Sequence, residues 1–223
     1  MRDPNRSPAP LAAWAIFVDY DGTITDRDTF DVLVEHFAGP DVWAQTERGL
    51  DDGTTTIRDV LQVQAGFVRG DFAHVSALLR REIAVDPTFA AFVEFCRAGG
   101  AAVEVVSSGI EPIIRERLAE AGVRDVPIVA NGIDPDPSGW RIVYRGDSAN
   151  GTDKGARVRE ARARGRRTIF IGDGRSDFSA AALADRRFAK RGLPLERFLR
   201  TSNLSYESFS SFEDVRGILA ANA

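Results

Sequence analysis

The sequence predicts an α/β fold, a parallel sheet covered by helices and carrying a helical insertion. Three observations lead there. Short apolar runs alternate with stretches of helical spacing. Among the polar residues that end those runs are Asp19, Ser107 and Asp173. A long interval without a convincing strand separates the first run from the second.

Taken in order, the opening "MRDPNRSPAPLAA" has three prolines and two arginines and no long apolar stretch, so residues 1–12 are expected to be a disordered leader. "WAIFVD" (Trp14 to Asp19) is the first core strand. Residues 31–94 then show apolar positions every three or four residues, in "FDVLVEHF", "IRDVLQVQAGFV" and "FAHVSALLRREI". A crossover needs little more than about a dozen residues, so this interval is long enough for a helical cap domain. The core is expected to comprise residues 13–30 and 95–223. "AAVEVVS" (Ala101 to Ser107), "PIVAN" (Pro127 to Asn131) and "TIFIGD" (Thr168 to Asp173) are further core strands, and "RRFAK", ending at Lys190, is a weaker one. "NGIDPDPSGWRIVY" reads as a β-excursion turned by Pro137 to Gly139. Ligands of open α/β sheets bind beyond the carboxyl ends of the strands, so Asp19, Ser107 and Asp173 are expected to meet at one site.

Composition narrows the function classes. The 223 residues are 43% hydrophobic and 28% charged with a net charge of -4, which gives no reason to expect nucleic acid or an acidic membrane as partner. No segment approaches the roughly 18 apolar residues of a membrane span. The single cysteine, Cys96, excludes an intramolecular disulfide and a cysteine-based zinc cluster, and fits a buried apolar position. A soluble, cytoplasmic monomer or homodimer is the expectation.

The chemistry starts at "AIFVDYDGTITDRD". Alternation along a strand throws Asp19 and Asp21 to the same side, which suits a nucleophile partnered by an acid/base. The Gly22-Thr23 step lets the chain turn sharply and aim amides at an anion. Taken alone, the stretch is equally a polar turn after a buried strand. "VEVVSSG" places Ser107 and Ser108 before a helical segment, where they could meet a phosphate or simply cap the helix. "GTDKGARVREARARG" puts Lys154 in the first turn of a helix, where a cation opposes the helix dipole and asks for an anionic partner. "IFIGDGRSDFSAA" offers Asp173 and Asp177 around a glycine turn, carboxylates suited to a hard cation such as Mg²⁺. Each element is weak alone; four in this order at predicted strand ends are strong together. His36 and His74 have no ligand spacing, and the basic run from Arg157 to Arg167 reads as a solvated helix face. Phe30, Phe67 and Trp43 suit either a substrate face or packing.

With "DYDGT", the serine of "VVSSG", Lys154 and "GDGRSD", the chain resembles the haloacid dehalogenase superfamily of aspartyl phosphatases, from about Ile16 to its end. "RRFAKRGLPLERFL" is similar to the phosphoserine-phosphatase-like branch, and "DYDGTIT", "TIRDVL" and the "FAK" strand to the 2-hydroxy-3-keto-5-methylthiopentenyl-1-phosphate phosphatases of methionine salvage. The resemblance implies a Rossmann-like core with a helical cap between the first two motifs, and a Mg²⁺-dependent phosphatase acting on a small phosphorylated metabolite. It makes Asp19 the nucleophile and Asp21 the acid/base. It implies that Thr23 supports the loop, that Ser107, Ser108 through its amide, and Lys154 bind phosphate, and that Asp19, the main-chain carbonyl of Asp21, and Asp173 hold the metal with Asp177 in support.

Two departures bear on substrate. The cysteine-rich segment usual before the lysine in the methionine-salvage enzymes is absent from "YRGDSANGTDKG". Where phosphoserine phosphatases carry a cap glutamate and a cap arginine, this chain has Asp28 and either Gln62 or Gln64, so a serine carboxylate would lack its bidentate clamp. Asp28 and Gln64 are the cap positions expected to set specificity. A phosphomutase would use the same residues. A dehalogenase would not need Asp21, and a binding protein on a dead scaffold would have lost one of the aspartates, all of which are present.

Overall fold

The structure, a computed structural model, describes residues 11–221. Residues 1–10 of the expected leader lie outside them. Residues 11 and 12 correct the remainder of that expectation: they open a 3-10 turn, Leu11–Ala13, with Leu11 buried in the core.

Seven strands form one sheet in the order β4-β3-β2-β1-β5-β6-β7, with β1 (Trp14–Val18), β2 (Ala102–Ile110), β3 (Ile128–Asp134), β4 (Arg141–Val143), β5 (Arg167–Gly172), β6 (Arg186–Lys190) and β7 (Glu207–Phe209). All neighbours are parallel except β3 and β4, the hairpin of the Asn131 to Tyr144 excursion. All five residues of β1 are buried. A strand covered on both faces must be apolar throughout, which is why "WAIFV" does not alternate. Its side chains still part by face. Trp14, Ile16 and Val18 join one layer with the helices α5 (Phe89–Ala98), α6 (Glu111–Glu120) and α10 (Phe212–Ala220). Ala15 and Phe17 join the other, with α7 (Lys154–Ala163), α8 (Phe178–Leu183) and α9 (Pro194–Thr201).

Between β1 and α5 stand α1 (Thr29–Phe37), α2 (Pro40–Asp51), α3 (Ile57–Ala65) and α4 (Phe72–Glu82). Their starts are written locally. The Asp28 carboxylate accepts from the Phe30 and Asp31 amides, Thr56 and Asp59 form a capping box, and Asp71 caps α4. Phe30, Leu33, Leu61, Ala65, Leu79 and Ile83 share a third apolar cluster with Ile113 of α6 and Trp140 and Ile142 of the hairpin. The excursion therefore packs under the inserted helices. Trp140 N donates to Ala65 O at 3.0 Å, Trp140 Nε1 to Gly70 O at 3.0 Å, and Ile142 N to Gln62 Oε1 at 3.2 Å.

Helix α5 runs across the expected boundary at Glu94. Its Phe89, Phe92, Val93 and Cys96 pack into the sheet layer, so this helix belongs with the core although its first six residues fall inside 31–94. Periodicity alone could not separate it from α1, α3 and α4, because every one of these helices has an apolar face.

The topology fixes where a ligand can bind. From β1 the chain reaches β2 and β3 on one side, then returns to β5, β6 and β7 on the other. The switch lies at the carboxyl ends of β1, β2 and β5, the position of the ligand crevice in open α/β sheets.

Candidate active site

Asp19 follows β1, Asp173 follows β5, and Ser107 lies near the carboxyl end of β2, so the three polar residues converge. They line a cleft of about 310 Å³ together with Asp21, Ser108 and Lys154, and residues of α1, α2 and α3 form its opposite wall.

Lys154 is the electrostatic centre. It is the first residue of α7, capped by Asp153, and 1% exposed. Its Nζ lies 2.6 Å from Asp19 Oδ1 and 2.7 Å from Asp177 Oδ1, and donates to Ser176 Oγ at 2.8 Å. Burial disfavours the ammonium, but the Asp177 and Asp19 carboxylates outweigh it and hold the lysine pKa above its ordinary value. Asp177 is saturated: its other oxygen accepts from the Asp173 amide at 2.9 Å and the Gly174 amide at 3.0 Å, pinning the "GDGRSD" turn.

Thr23 Oγ1 donates to Asp173 Oδ1 at 2.8 Å. Gly22 makes that approach possible. Its φ is +71°, and a Cβ there would come within 2.5 Å of Asp173 Oδ2. The loop is tied from behind by Lys190, the last residue of the "FAK" strand, whose Nζ donates to Thr23 O at 3.1 Å and Thr25 O at 3.0 Å.

Asp21 is held by the amide of Thr29 at 3.0 Å, by the Thr29 hydroxyl, and by Ser107 Oγ at 3.3 Å. Burial raises its pKa, and the Thr29 hydrogen bonds oppose that rise. Opposite it, a Cβ on Gly109 would lie 2.4 Å from Asp21 Oδ2. Strand β2 loses register with β3 between Val106 and Ile110, which lets Ser107 to Gly109 bend into the cleft.

The helix-cap alternative for the two serines does not hold. Strand β2 runs to Ile110, α6 begins at Glu111, and no side chain caps it. Ser107 Oγ instead accepts from Gly109 N at 2.9 Å, while the Ser108 hydroxyl is spent on Asn150 O at 2.6 Å. Asn131 holds Ser108 in turn, donating to its carbonyl at 2.8 Å.

On the far wall, Asp28 lines the cleft while capping α1. Gln64 lines it too and is 3% exposed. Gln62 accepts from the hairpin and does not line the cleft. Phe30 and Trp43 face the cleft; Phe67 does not. His36 and His74 are exposed, His36 edge-on to Phe37. Arg157 pairs with Glu104 and Glu160.

The donor set suits Mg²⁺. Carboxylate oxygens of Asp19, Asp173 and Asp177 all lie within 4.8 Å of one another. Burial and the neighbouring Asp177 raise Asp19 well above the usual carboxylate range, and the same causes push Asp173 up to about 7. Crowded, buried oxygen ligands with one lysine among them are what a hard divalent cation relieves.

The model of the haloacid dehalogenase-like hydrolases matches residues 16–182. The chain belongs to that family. The match spans β1, the inserted helices, and both the lysine and "GDGRSD" segments. Among hydrolases of known name, the chain is 29% identical to the polyol phosphate phosphatase PYP1 of Saccharomyces cerevisiae, over 90% of each chain. It is 31% identical to the 2-hydroxy-3-keto-5-methylthiopentenyl-1-phosphate phosphatase of Brevibacillus brevis, over 92% of this chain and 94% of that one. A substrate-bound phosphoserine phosphatase has the same fold, with a TM-score of 0.71 at 18% identity over 93% of this chain and 97% of its own. This haloacid dehalogenase-like hydrolase is thus an enzyme of the phosphatase kind, with phosphatases as relatives and the phosphoserine phosphatase fold. Among the described residues no helix is long and apolar enough to cross a membrane.

Four residues that hold the site were missed in the sequence: Thr29, Asn131, Ser176 and Lys190. Asn131 and Lys190 carried a signal, as the polar ends of the "PIVAN" and "FAK" strands, where Asp19 and Asp173 also sit relative to theirs.

Proposed function

We propose that the protein is a Mg²⁺-dependent phosphomonoesterase that releases phosphate from a small phosphorylated metabolite through an aspartyl phosphate on Asp19. The observation that carries the reading is the convergence on Lys154 of a buried nucleophile, Asp19, beside an acid/base, Asp21, that Thr29 holds in place. An Asp19 oxygen attacks phosphorus as the bond to the leaving alcohol breaks, and Asp21 gives that alcohol its proton. Asp21 then takes a proton from the water that attacks phosphorus, and phosphate departs with Asp19 restored. Ser107, the amide of Ser108, and Lys154 bind the phosphoryl oxygens, and Thr23 keeps the loop in shape.

Asp19, Asp173 and the main-chain carbonyl of Asp21 would hold Mg²⁺, with Asp177 supporting them through Lys154. Bound there, the ion offsets repulsion between the Asp19 carboxylate and a phosphate dianion. Helices α1 to α4 act as the cap, which excludes water and reads the leaving group through Asp28 and Gln64. The two phosphatase relatives act, by their names, on different phosphomonoesters, so they support the reaction class and leave the alcohol open.

The test is phosphate release from a panel of phosphomonoesters with Mg²⁺, repeated in excess EDTA and with Asp19→Asn. Release that needs both the metal and Asp19 is expected. Release unchanged in EDTA removes the metal, and turnover near wild type in the variant removes the nucleophile.

A further inference from the structure

The cap wall of the cleft has an unusual inventory. Besides apolar side chains it presents Asp28, Asp31, Trp43, Glu47 and Gln64. All but one of its side-chain N–H donors, the second proton of Gln64 Nε2, are already spent. Trp43 Nε1 donates to Asp31 Oδ1 at 2.6 Å. Gln64 Nε2 donates to Thr46 Oγ1 at 3.3 Å. The direction of that last bond is fixed by Thr46, whose own hydroxyl proton is directed at the Val42 and Trp43 carbonyls, leaving its oxygen to accept. Gln64 lines the cleft, and its Oε1 accepts no hydrogen bond from a described residue. An acceptor left open on a cleft wall can take a donor from a ligand.

Charge points the same way. The cations among the described lining residues are Lys154, committed to Asp19 and Asp177, and Arg175. Arg175 is paired with Asp51 at the end of α2, and Arg27 nearby is paired with Glu35. The cation that faces Glu47 from the described lining, Arg175, is the one shared with Asp51.

We propose that this wall selects leaving alcohols that donate hydrogen bonds and carry no negative charge, with Asp31, Glu47 and Gln64 as the selecting residues. The assignment rests on the phosphomonoesterase reading and adds the chemistry of the alcohol. Hydroxyl or ammonium groups on the carbons beyond the ester oxygen give their protons to Gln64 Oε1 and the two carboxylates. A carboxylate or second phosphate, being acceptor only, finds there at most the second N–H of Gln64 and meets like charge.

The experiment compares esters without and with a carboxylate: glycerol 3-phosphate against 3-phosphoglycerate, where it replaces a terminal CH2OH, and ethanolamine phosphate against phosphoserine, where it is simply added. Wild type should favour the first member of each pair by roughly tenfold or more in kcat/KM, the scale of one unscreened charge contact in a cleft. The first pair reads a hydroxyl and the second an ammonium, so the better of the two identifies the donor. Combining Asp31→Asn with Glu47→Gln should narrow both ratios through KM. Glu47→Lys should turn the preference toward the carboxylates. Gln64→Leu should raise KM for the donor-bearing esters alone.

Calorimetric affinities of the same four esters for Asp19→Asn protein read the wall without turnover. If no ester and no p-nitrophenyl phosphate is hydrolysed, the phosphomonoesterase reading fails, and these affinities still judge the wall. Pairs bound and hydrolysed alike, or ratios that the Asp31 and Glu47 variants do not move, overturn the assignment.

Discussion

The Lys154 ammonium lies 2.6 Å from Asp19 Oδ1, and both side chains are almost wholly withdrawn from water. Removing one partner of such a pair costs far more than the pair contributes, because a buried charge is left alone. Lys154→Ala should therefore lower stability by about 3 to 5 kcal/mol as Asp19 and Asp177 lose their common partner. Urea denaturation followed by circular dichroism measures it. A loss of less than about 1 kcal/mol, the worth of a surface pair, would mean that the lysine is not what holds these carboxylates.

The crowding of Asp19, Asp173 and Asp177 predicts that Mg²⁺ stabilises the folded protein independently of turnover. A ligand at a hundred times its dissociation constant adds roughly 2.7 kcal/mol. The melting temperature should climb as Mg²⁺ is added, fall back with EDTA, and respond far less in Asp173→Asn. An identical metal response in that variant places the ion elsewhere.

Thr29 offers both its amide and its hydroxyl to Asp21. Thr29→Val keeps the shape and the amide but removes the hydroxyl. It should reduce kcat by about tenfold or more for substrates whose alcohol needs a proton, while KM stays within a factor of two or so. Thr29→Ser should recover most of the loss. An equal loss in the rate of the p-nitrophenolate burst, the step in which Asp21 has no proton to give, would point to a merely structural role.

Trp140 is fully buried, stacks on Phe72 with ring centroids 6.1 Å apart, and joins the hairpin to the inserted helices. Trp140→Ala should cost about 3 to 5 kcal/mol, and Trp140→Phe distinctly less. If alanine there melts within a degree or two of wild type, the hairpin does not support the cap.

How far the sequence could be read depends on what each element buries. Strand β1 was legible because it is covered on both faces and must be apolar throughout, and β5 likewise. Helix α2 was not, because it is mostly polar and buries none of its residues, its Trp43 and Leu50 lining the cleft instead of a core. Strand β7 is three residues long, and in "ESF" only Phe209 is buried. The choice between Gln62 and Gln64 could not be made from spacing. Residues two apart on a helix face different directions, so one reached the hairpin and the other the cleft. The aspartates, Ser107 and Lys154 were legible because strand ends concentrate chemistry at one edge of the sheet. Thr29 and Ser176 were not, since a residue that positions another through a hydrogen bond leaves no pattern of its own.

The central claim is that Asp19 carries the phosphoryl group, and Asp21→Asn allows it to be caught. With p-nitrophenyl phosphate the first step needs no proton donor, whereas hydrolysis of the aspartyl phosphate needs Asp21 as base. Acid quench of this variant during reaction, followed by mass spectrometry of the peptide containing Asp19, is the direct measurement. The account predicts one phosphoryl group on Asp19, removed by hydroxylamine and absent when Asp19→Asn is added. A phosphoryl group on any other residue, or a burst of p-nitrophenolate with Asp19 unmodified, would contradict it.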